Sequence, residues 1–279
     1  MKQKPINELL EFSIINVDKP AGITSFKTAD KVRKIFNARK TGHFGTLDPM
    51  VTGVLPIAIN RACKLSDYFM KKDKEYSGKM RIHKNISKED LEKEMNKFLG
   101  KIMQKPPVKS RVKRVNRERT INKFRIIKMH KKIVEFESDV QAGTYIRKLI
   151  SDLGEKTGGA HMTELRRIRA GIFYEKDSHT LEEIYNAFQA YKDGNEEKLR
   201  KILIPAEIIK QIITSVQVKD EALSHLLNGK NLLKESIIGK IPNSELISVF
   251  CKDRFIGIYK RIEDNENSKI VARPEFVKN

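Results

Sequence analysis

Tryptophan is absent, and cysteine occurs only twice in 279 residues. Cys63 and Cys251 lie far apart, and neither has a Cys-x-x-Cys neighbour. No disulfide framework and no zinc site built from this chain alone is therefore expected, and the two thiols fit a reduced, cytoplasmic protein. No run approaches the roughly 20 apolar residues that a membrane span needs. The first ten residues carry charge and no long apolar stretch, so a secretory signal is not expected either. Repeats and low-complexity tracts are lacking. Negative charge is also scarce: 36 acids face 56 Lys and Arg, a formal net charge of +20. Such a surplus speaks about partners rather than fold. Nucleic acid is the first candidate, because a basic surface displaces counterions from phosphates; a merely Lys-rich solvated surface would give the same count. The apolar share is ordinary, at 39%, so a folded core is expected. The length suits one large domain, or a large one with a small one.

The hydrophobic pattern mixes both periods. Ile14 to Val17 reads as a strand, followed by a turn at Lys19-Pro20-Ala21-Gly22. Ser25 is placed to cap a helix carrying Ala29, Val32, Ile35 and Phe36 on one face. A Gly-rich loop spans Thr41 to Gly53. Leu55 to Ile59 looks like a buried strand, and Ala62, Leu65 and Phe69 suggest a short helix. Tyr76, Gly78, Met80 and Ile82 alternate with polar residues, as in a half-buried strand. Ser87 with Asp90 opens a helix striped with Leu91, Met95, Phe98 and Leu99, which Gly100 would close. Two strands are expected around a turn near Lys131, then a helix marked by Ile146, Leu149, Ile150 and Leu153. Another helix should open on the Thr180–Glu183 capping box. After Pro205 the pattern changes to a short helix ending at Gly229 and short strands at Leu246–Phe250 and Phe255–Tyr259. Strands and helices without regular βαβ alternation predict an α+β protein. We expect a mixed, mainly antiparallel sheet with flanking helices over 11–210, and a small β-rich module over 211–279.

The charge is concentrated. From Lys101 to Lys132 there are thirteen basic residues and one acid, Glu118. Lys109, Arg111, Lys113, Arg114, Arg117 and Arg119 form its centre. Arginine forks suit phosphate, so this strip is a candidate RNA contact; a solvated loop is the bland reading.

Three segments hold candidate chemistry. In Gly42-His43-Phe44-Gly45-Thr46-Leu47-Asp48-Pro49, a lone Asp in a Gly-rich loop is ordinarily a turn residue. In Gly143-Thr144-Tyr145-Ile146-Arg147-Lys148-Leu149, the Thr and Arg are by default a helix cap and a surface charge. In Gly159-Ala160-His161-Met162-Thr163-Glu164-Leu165-Arg166-Arg167, His161 alone would be structural. Together and in this order, the three resemble the TruB family of pseudouridine synthases. The resemblance extends through Asn16 to Ser25, Lys74-Glu75-Tyr76, Gln104 to Val108, and Gly171-Ile172-Phe173. Ser110, Val112, Lys113, Arg114, Arg117 and Arg119 look like the archaeal and eukaryotic dyskerin-type branch, and the tail is similar to a PUA domain, a small RNA-binding β-barrel. Phe44 departs from the small or polar residue usual at its position, Arg111 replaces an Ala, Asn122 stands where an aromatic is common, and the Gly158-Gly159 loop is one residue shorter.

The resemblance implies an isomerase that converts uridine to pseudouridine in RNA with no cofactor and no metal. Asp48 matches the nucleophilic aspartate, Arg147 its paired arginine, and Tyr76 the tyrosine that stacks on the base. Tyr145 and Leu165 match pocket-lining residues, and His43 matches a histidine that approaches the RNA. Lys109, Arg114, Arg117 and Arg119 would contact phosphate. Lys19 and Pro20 match a motif that braces the catalytic loop. The resemblance leaves two settings open. One is autonomous action on the T-loop uridine of tRNA; the other is the catalytic subunit of an H/ACA ribonucleoprotein, with guide RNA, rRNA and small partner proteins. A non-catalytic RNA-binding ribosome-assembly factor is the alternative class.

The chemistry fits these residue types. The reaction detaches a base, turns it and reattaches it through carbon, without redox change. A base within folded RNA must first be flipped out. An aromatic such as Tyr76 can replace the stacking lost, at about 1–3 kcal/mol per base. A carboxylate can act as nucleophile. Desolvation opposes its ionisation, and a forked arginine restores it. Leu165 would exclude water from the separated sugar.

Overall fold

A computed structural model of the chain describes residues 4–106, 113–262 and 269–278. Two compact units are found, Met1–Ile204 and Pro205–Asn279.

The first unit is built on strands β1 (Ser13–Lys19), β2 (Thr41–His43), β3 (Thr52–Ile59), β4 (Lys74–Ile82), β5 (Gly100–Gln104), β6 (Arg117–His130), β7 (Ile133–Val140), β8 (Ala160–Ala170), β9 (Phe173–Tyr174) and β10 (Leu203–Pro205). Their spatial order is β10-β1-β3-β8-β4-β7-β6-β5, with β2 also on β3 and β9 on β8. The described pairings are antiparallel except β3 with β8, where Thr52 and Gly53 face Arg166 and Arg167. The apolar β1 is buried almost throughout, because it lies inside the sheet and is covered on both faces. In β4 the expected alternation holds: Lys74, Tyr76, Gly78, Met80 and Ile82 face inward.

Helices α1 (Ile6–Glu11), α2 (Ser25–Ile35), α3 (Ser66–Met70), α4 (Lys88–Asn96), α5 (Ile146–Thr157), α6 (Leu181–Lys192) and α7 (Glu197–Ile202) flank the sheet. Helix α5 buries Ile146, Leu149, Ile150 and Leu153, and α6 starts on the Thr180–Glu183 capping box. Two local expectations are corrected. The cap of α2 is Thr24, which accepts from Lys27 N, while Ser25 is the first helical residue and its hydroxyl is used elsewhere. Helix α4 stops at Asn96, because Phe98 N and Leu99 N bond back only three residues, to Met95 O and Asn96 O. Phe98 still packs on the core, but Leu99 is left largely in solvent and Gly100 opens β5.

The second unit carries β11 (Ser215–Val218), α8 (Leu223–Leu227), β12 (Leu232–Leu233), β13 (Ile237–Ile238), β14 (Leu246–Cys251), β15 (Arg254–Arg261) and β16 (Ile270–Val277). The order β12-β16-β15-β14-β11-β13 makes a small barrel-like sheet around Val216, Ile247, Val249, Ile256 and Tyr259. The Tyr259 hydroxyl donates to Leu226 O at 3.2 Å and so ties α8 to this sheet. The fold is thus α+β, with a mainly antiparallel mixed sheet, flanking helices and a separate barrel-like module. Among the described residues, no helix is long and apolar enough to cross a membrane.

Candidate active site

The loop carrying Asp48 joins β2 to β3, and remote side chains hold it by its main chain. Fully buried Lys19, at the end of β1, donates from Nζ to Pro20 O at 2.7 Å and Pro49 O at 3.0 Å. Ser25 Oγ accepts from Leu47 N at 2.8 Å and donates to Leu47 O at 3.0 Å. Gly22 N donates to Pro49 O at 2.9 Å. Arg167, 1% exposed, reaches the same loop from β8: Nη2 donates to Gly45 O at 3.0 Å and Nε to Val54 O at 2.7 Å. Phe44, which departs from the small or polar residue usual at its position, is buried in the core. It stacks on Phe69 at 4.8 Å and tilts against Phe173 at 5.9 Å.

Asp48 and Arg147 meet in an ion pair, with both side chains about half exposed. Arg147 is the second residue of α5, so the start of that helix decides where the guanidinium points. Buried Gln104 sets this start: its Oε1 accepts from Tyr145 N at 3.0 Å and its Nε2 donates to Tyr145 O at 3.3 Å. Thr144 does not cap the helix; its hydroxyl donates to Gln141 O at 2.7 Å, closing the preceding turn.

The floor of the site is the β4–β8 pair. Tyr76 faces Arg167, and Gly78 faces Leu165. The Arg167 guanidinium also hydrogen-bonds the Tyr76 side chain. Gly78 is obligatory by space: a Cβ there would stand 2.7 Å from Phe136 Cζ and 3.0 Å from Leu165 Cδ1. Tyr76, Leu165 and Arg167 therefore share one face of the sheet.

Cations gather beneath the loop. A Cβ at Gly45 would lie 3.5 Å from Arg167 Nη1 and 3.7 Å from Lys74 Cε, which places both under it. Lys74 Nζ donates to Met70 O at 2.6 Å and to Lys72 O. Burial, with Arg167 adding repulsion, pushes the Lys74 ammonium down to about 8. The same two causes lower Lys19, though Asp48 opposes the shift there. His43 is half-buried at the end of β2, and its Nδ1 has no partner among the described residues. Burial and then Arg167 lower its pKa, favouring the neutral ring. Arg167 itself is lowered by its own burial, with Tyr76 opposing.

The basic strip reaches this region in part. A Cβ at Gly143 would lie 3.1 Å from Nη2 of Arg119, beside the segment that carries Tyr145 and Arg147. Arg117 opens β6, half-buried, and Arg114 is exposed with Nε donating to Pro106 O at 3.3 Å. Lys109 lies outside the described residues. His161, on β8, pairs with His83, the residue after β4, with 2.7 Å between ring nitrogens. Asn122 donates to Asp73 at 3.1 Å. Among the described residues, no group of three or more His, Cys, Asp or Glu is placed to hold a metal.

Sequence reasoning gave no role to Arg167, Gln104 or Lys74. Arg167 had a signal: two residues after Leu165 on a strand, it must share Leu165's inward face. Lys74 had the same signal relative to Tyr76. Gln104 had none, since its function is to bind the backbone of a residue far along the chain.

Comparison with known proteins agrees with this architecture. The pattern of the TruB family pseudouridylate synthase (N terminal domain) matches residues 33–146, and that of the tRNA pseudouridylate synthase B C-terminal domain matches residues 147–210. The probable tRNA pseudouridine synthase B of Archaeoglobus fulgidus is 38% identical over 271 residues, covering 95% of this chain and 83% of that protein. Its counterpart in Nanoarchaeum equitans is 42% identical over 251 residues, covering 88% and 72%. Among solved structures, the chain is similar to one in a crystal structure of a Cbf5-Nop10-Gar1 complex, with TM-score 0.91, 34% identity, and 99% and 88% of the two chains covered. A chain in the structure of an H/ACA RNP bound to a substrate RNA containing 2′-deoxyuridine matches with TM-score 0.89 and 33% identity, over 99% and 88%. Identity at this level over most of both chains settles the kinship: the chain belongs to the TruB family of pseudouridine synthases, isomerases that act on uridine in RNA.

Proposed function

We propose that Asp48 is the carboxylate on which the isomerisation turns, and that Arg147, Tyr76, Leu165, Tyr145 and His43 form the pocket for the flipped-out uridine. The observation that carries this reading is the Asp48–Arg147 ion pair on a loop fixed from below through its own carbonyls. The guanidinium pairs with the carboxylate and aims it, which matters more as the RNA displaces water. Tyr76 offers its ring to the extruded base, and Leu165 excludes water beside it. Neutral His43 is free to enter the space the base leaves. Lys109, Arg114, Arg117 and Arg119 neutralise phosphates along the approach.

We assign 11–210 to catalysis and 211–279 to a PUA-like RNA-binding module. The substrate is the T-loop uridine of tRNA when the protein acts alone. A second setting is favoured by the likeness to chains of Cbf5 complexes. There, guide RNA selects uridines in rRNA, and small proteins of the Nop10 and Gar1 kind assemble on the enzyme. A cytoplasmic place is part of this reading, and the two free cysteines are compatible with it.

The test is pseudouridine formation on an unmodified tRNA transcript by the purified chain, with Asp48→Asn alongside. Product at the T-loop, lost in the variant while RNA affinity persists, is the expected result. Full activity of Asp48→Asn would sink the mechanism. Product formed only after guide RNA and partner proteins are added would assign the protein to the ribonucleoprotein setting.

A further inference from the structure

The chain turns its phenylalanines inward with one exception. Of the thirteen phenylalanines, all of which fall among the described residues, Phe26 alone is exposed. At 76% it is also the most exposed large apolar side chain among the described residues, and Met50, at 73%, comes next. A single exposed apolar residue is unremarkable. These two, however, belong to the pair of segments that frame Asp48. Met50 lies two residues after Asp48. Phe26 follows Ser25, whose hydroxyl makes both bonds to Leu47, and Gly22 N on the same turn bonds Pro49 O. Neither side chain supports the fold: the loop is held by Lys19, Ser25 and Arg167 through main-chain atoms. The charge around Phe26 suits a polyanion. Lys27 and Lys31 are exposed, and the neighbouring acid, Asp30, is occupied by Arg33 and Lys34.

We propose that Phe26 and Met50 form an apolar platform that receives the nucleotides flanking the target uridine. Extruding one base leaves its neighbours with an unstacked face each. The Phe26 ring supplies a replacement face in the way that single-stranded RNA is bound elsewhere, without reading sequence. Met50 adds a flexible, polarisable thioether that adapts to either base type. The contact lies outside the base pocket, so it acts on capture and placement of the strand rather than on the bond changes. This inference rests on Asp48 marking the active site.

The experiment measures binding and turnover of an unmodified T-arm hairpin carrying 2-aminopurine immediately 3′ of the target uridine. Wild type is compared with Phe26→Ala, Phe26→Tyr, Met50→Ala and Asp48→Asn. For Phe26→Ala, Kd and KM are expected to rise about tenfold, the scale of one stacked base. Turnover at saturation should stay within threefold and thermal stability should not change. Phe26→Tyr should restore affinity, and the fluorescence change on binding should be largest in the wild type. Equal affinity of Phe26→Ala and wild type overturns the proposal, as does failure of the wild type to bind the hairpin. A concentration-dependent dimer lost in Phe26→Ala at unchanged RNA affinity also overturns it, and assigns the ring to a protein contact. Activity in Asp48→Asn, in contrast, overturns the active-site reading on which the proposal rests.

Discussion

Replacing Arg167 by Met tests whether the catalytic loop is held from beneath. Methionine nearly matches the length and apolar stem of arginine, so the change removes donors more than volume. Three buried partners are left short: Gly45 O, Val54 O and the Tyr76 side chain. Each unsatisfied buried polar group costs about 1–3 kcal/mol. Against this, removal of a guanidinium whose pKa burial already lowers returns part of its desolvation. A net loss of about 3 kcal/mol is expected from these opposing terms. For a domain of this size that is a fall of roughly 6–12 °C in Tm. Activity should fall further than stability alone requires. The freed carbonyl at Gly45 belongs to the loop that carries Asp48, and misplacement by about 1 Å can cost about a hundredfold in rate. The assay is pseudouridine formation under single-turnover conditions, well below the melting transition of the variant, together with urea unfolding. Arg167→Lys should recover stability partly but not turnover, since one ammonium cannot span three partners. Single-turnover rates within threefold of wild type in Arg167→Met would refute the reasoning and reduce Arg167 to a core-filling residue.

Neutralising Arg114, Arg117 and Arg119 to Gln should weaken RNA binding and lower the slope of log K against log salt by about two to three, at 0.7–0.9 per phosphate contact; an unchanged slope would refute the phosphate contacts. Lys74 gives a pH signature. Its pKa falls from the ordinary 10.5 to about 8 in the folded state, so between those values the unfolded chain binds more protons and stability rises with pH. Urea unfolding of wild type against Lys74→Met at pH 7.5, 9 and 10 should show the wild type gaining relative stability, by up to about 1.4 kcal/mol per pH unit; a flat difference contradicts a buried, charged Lys74. Gln104→Ala should lower turnover more than RNA affinity, because it releases the Tyr145 backbone and with it the aim of Arg147; measured kcat and Kd that change in parallel would contradict this.

The strand alternation of β4 and the stripe of α5 are visible in the chain because burial on one face imposes a period. The ends of elements are less so. Ser25 looks like a cap because its side chain type favours that role, yet Thr24 takes it, and the serine hydroxyl is drawn off by Leu47, a residue 22 positions away. Bonds of that kind have no local sequence signature. Asp48, Arg147 and Tyr76 are legible only as members of motifs. Each alone has an ordinary reading, and nothing in their spacing announces that residues 99 positions apart form an ion pair. Gln104 and Arg167 share a further obscurity, since their hydrogen bonds to Tyr145, Gly45 and Val54 go to backbone atoms, which every residue possesses.

That choice of partner has an evolutionary consequence. Lys19, Ser25 and Arg167 grip carbonyls and an amide, so the position of Asp48 does not depend on the identity of the side chains at 46, 49 or 50. The loop is a socket with interchangeable edges. Substitutions along its rim can retune which RNA strand is accepted while the acid stays where it is, and a single fold can pass from one class of RNA to another without rebuilding its reactive centre.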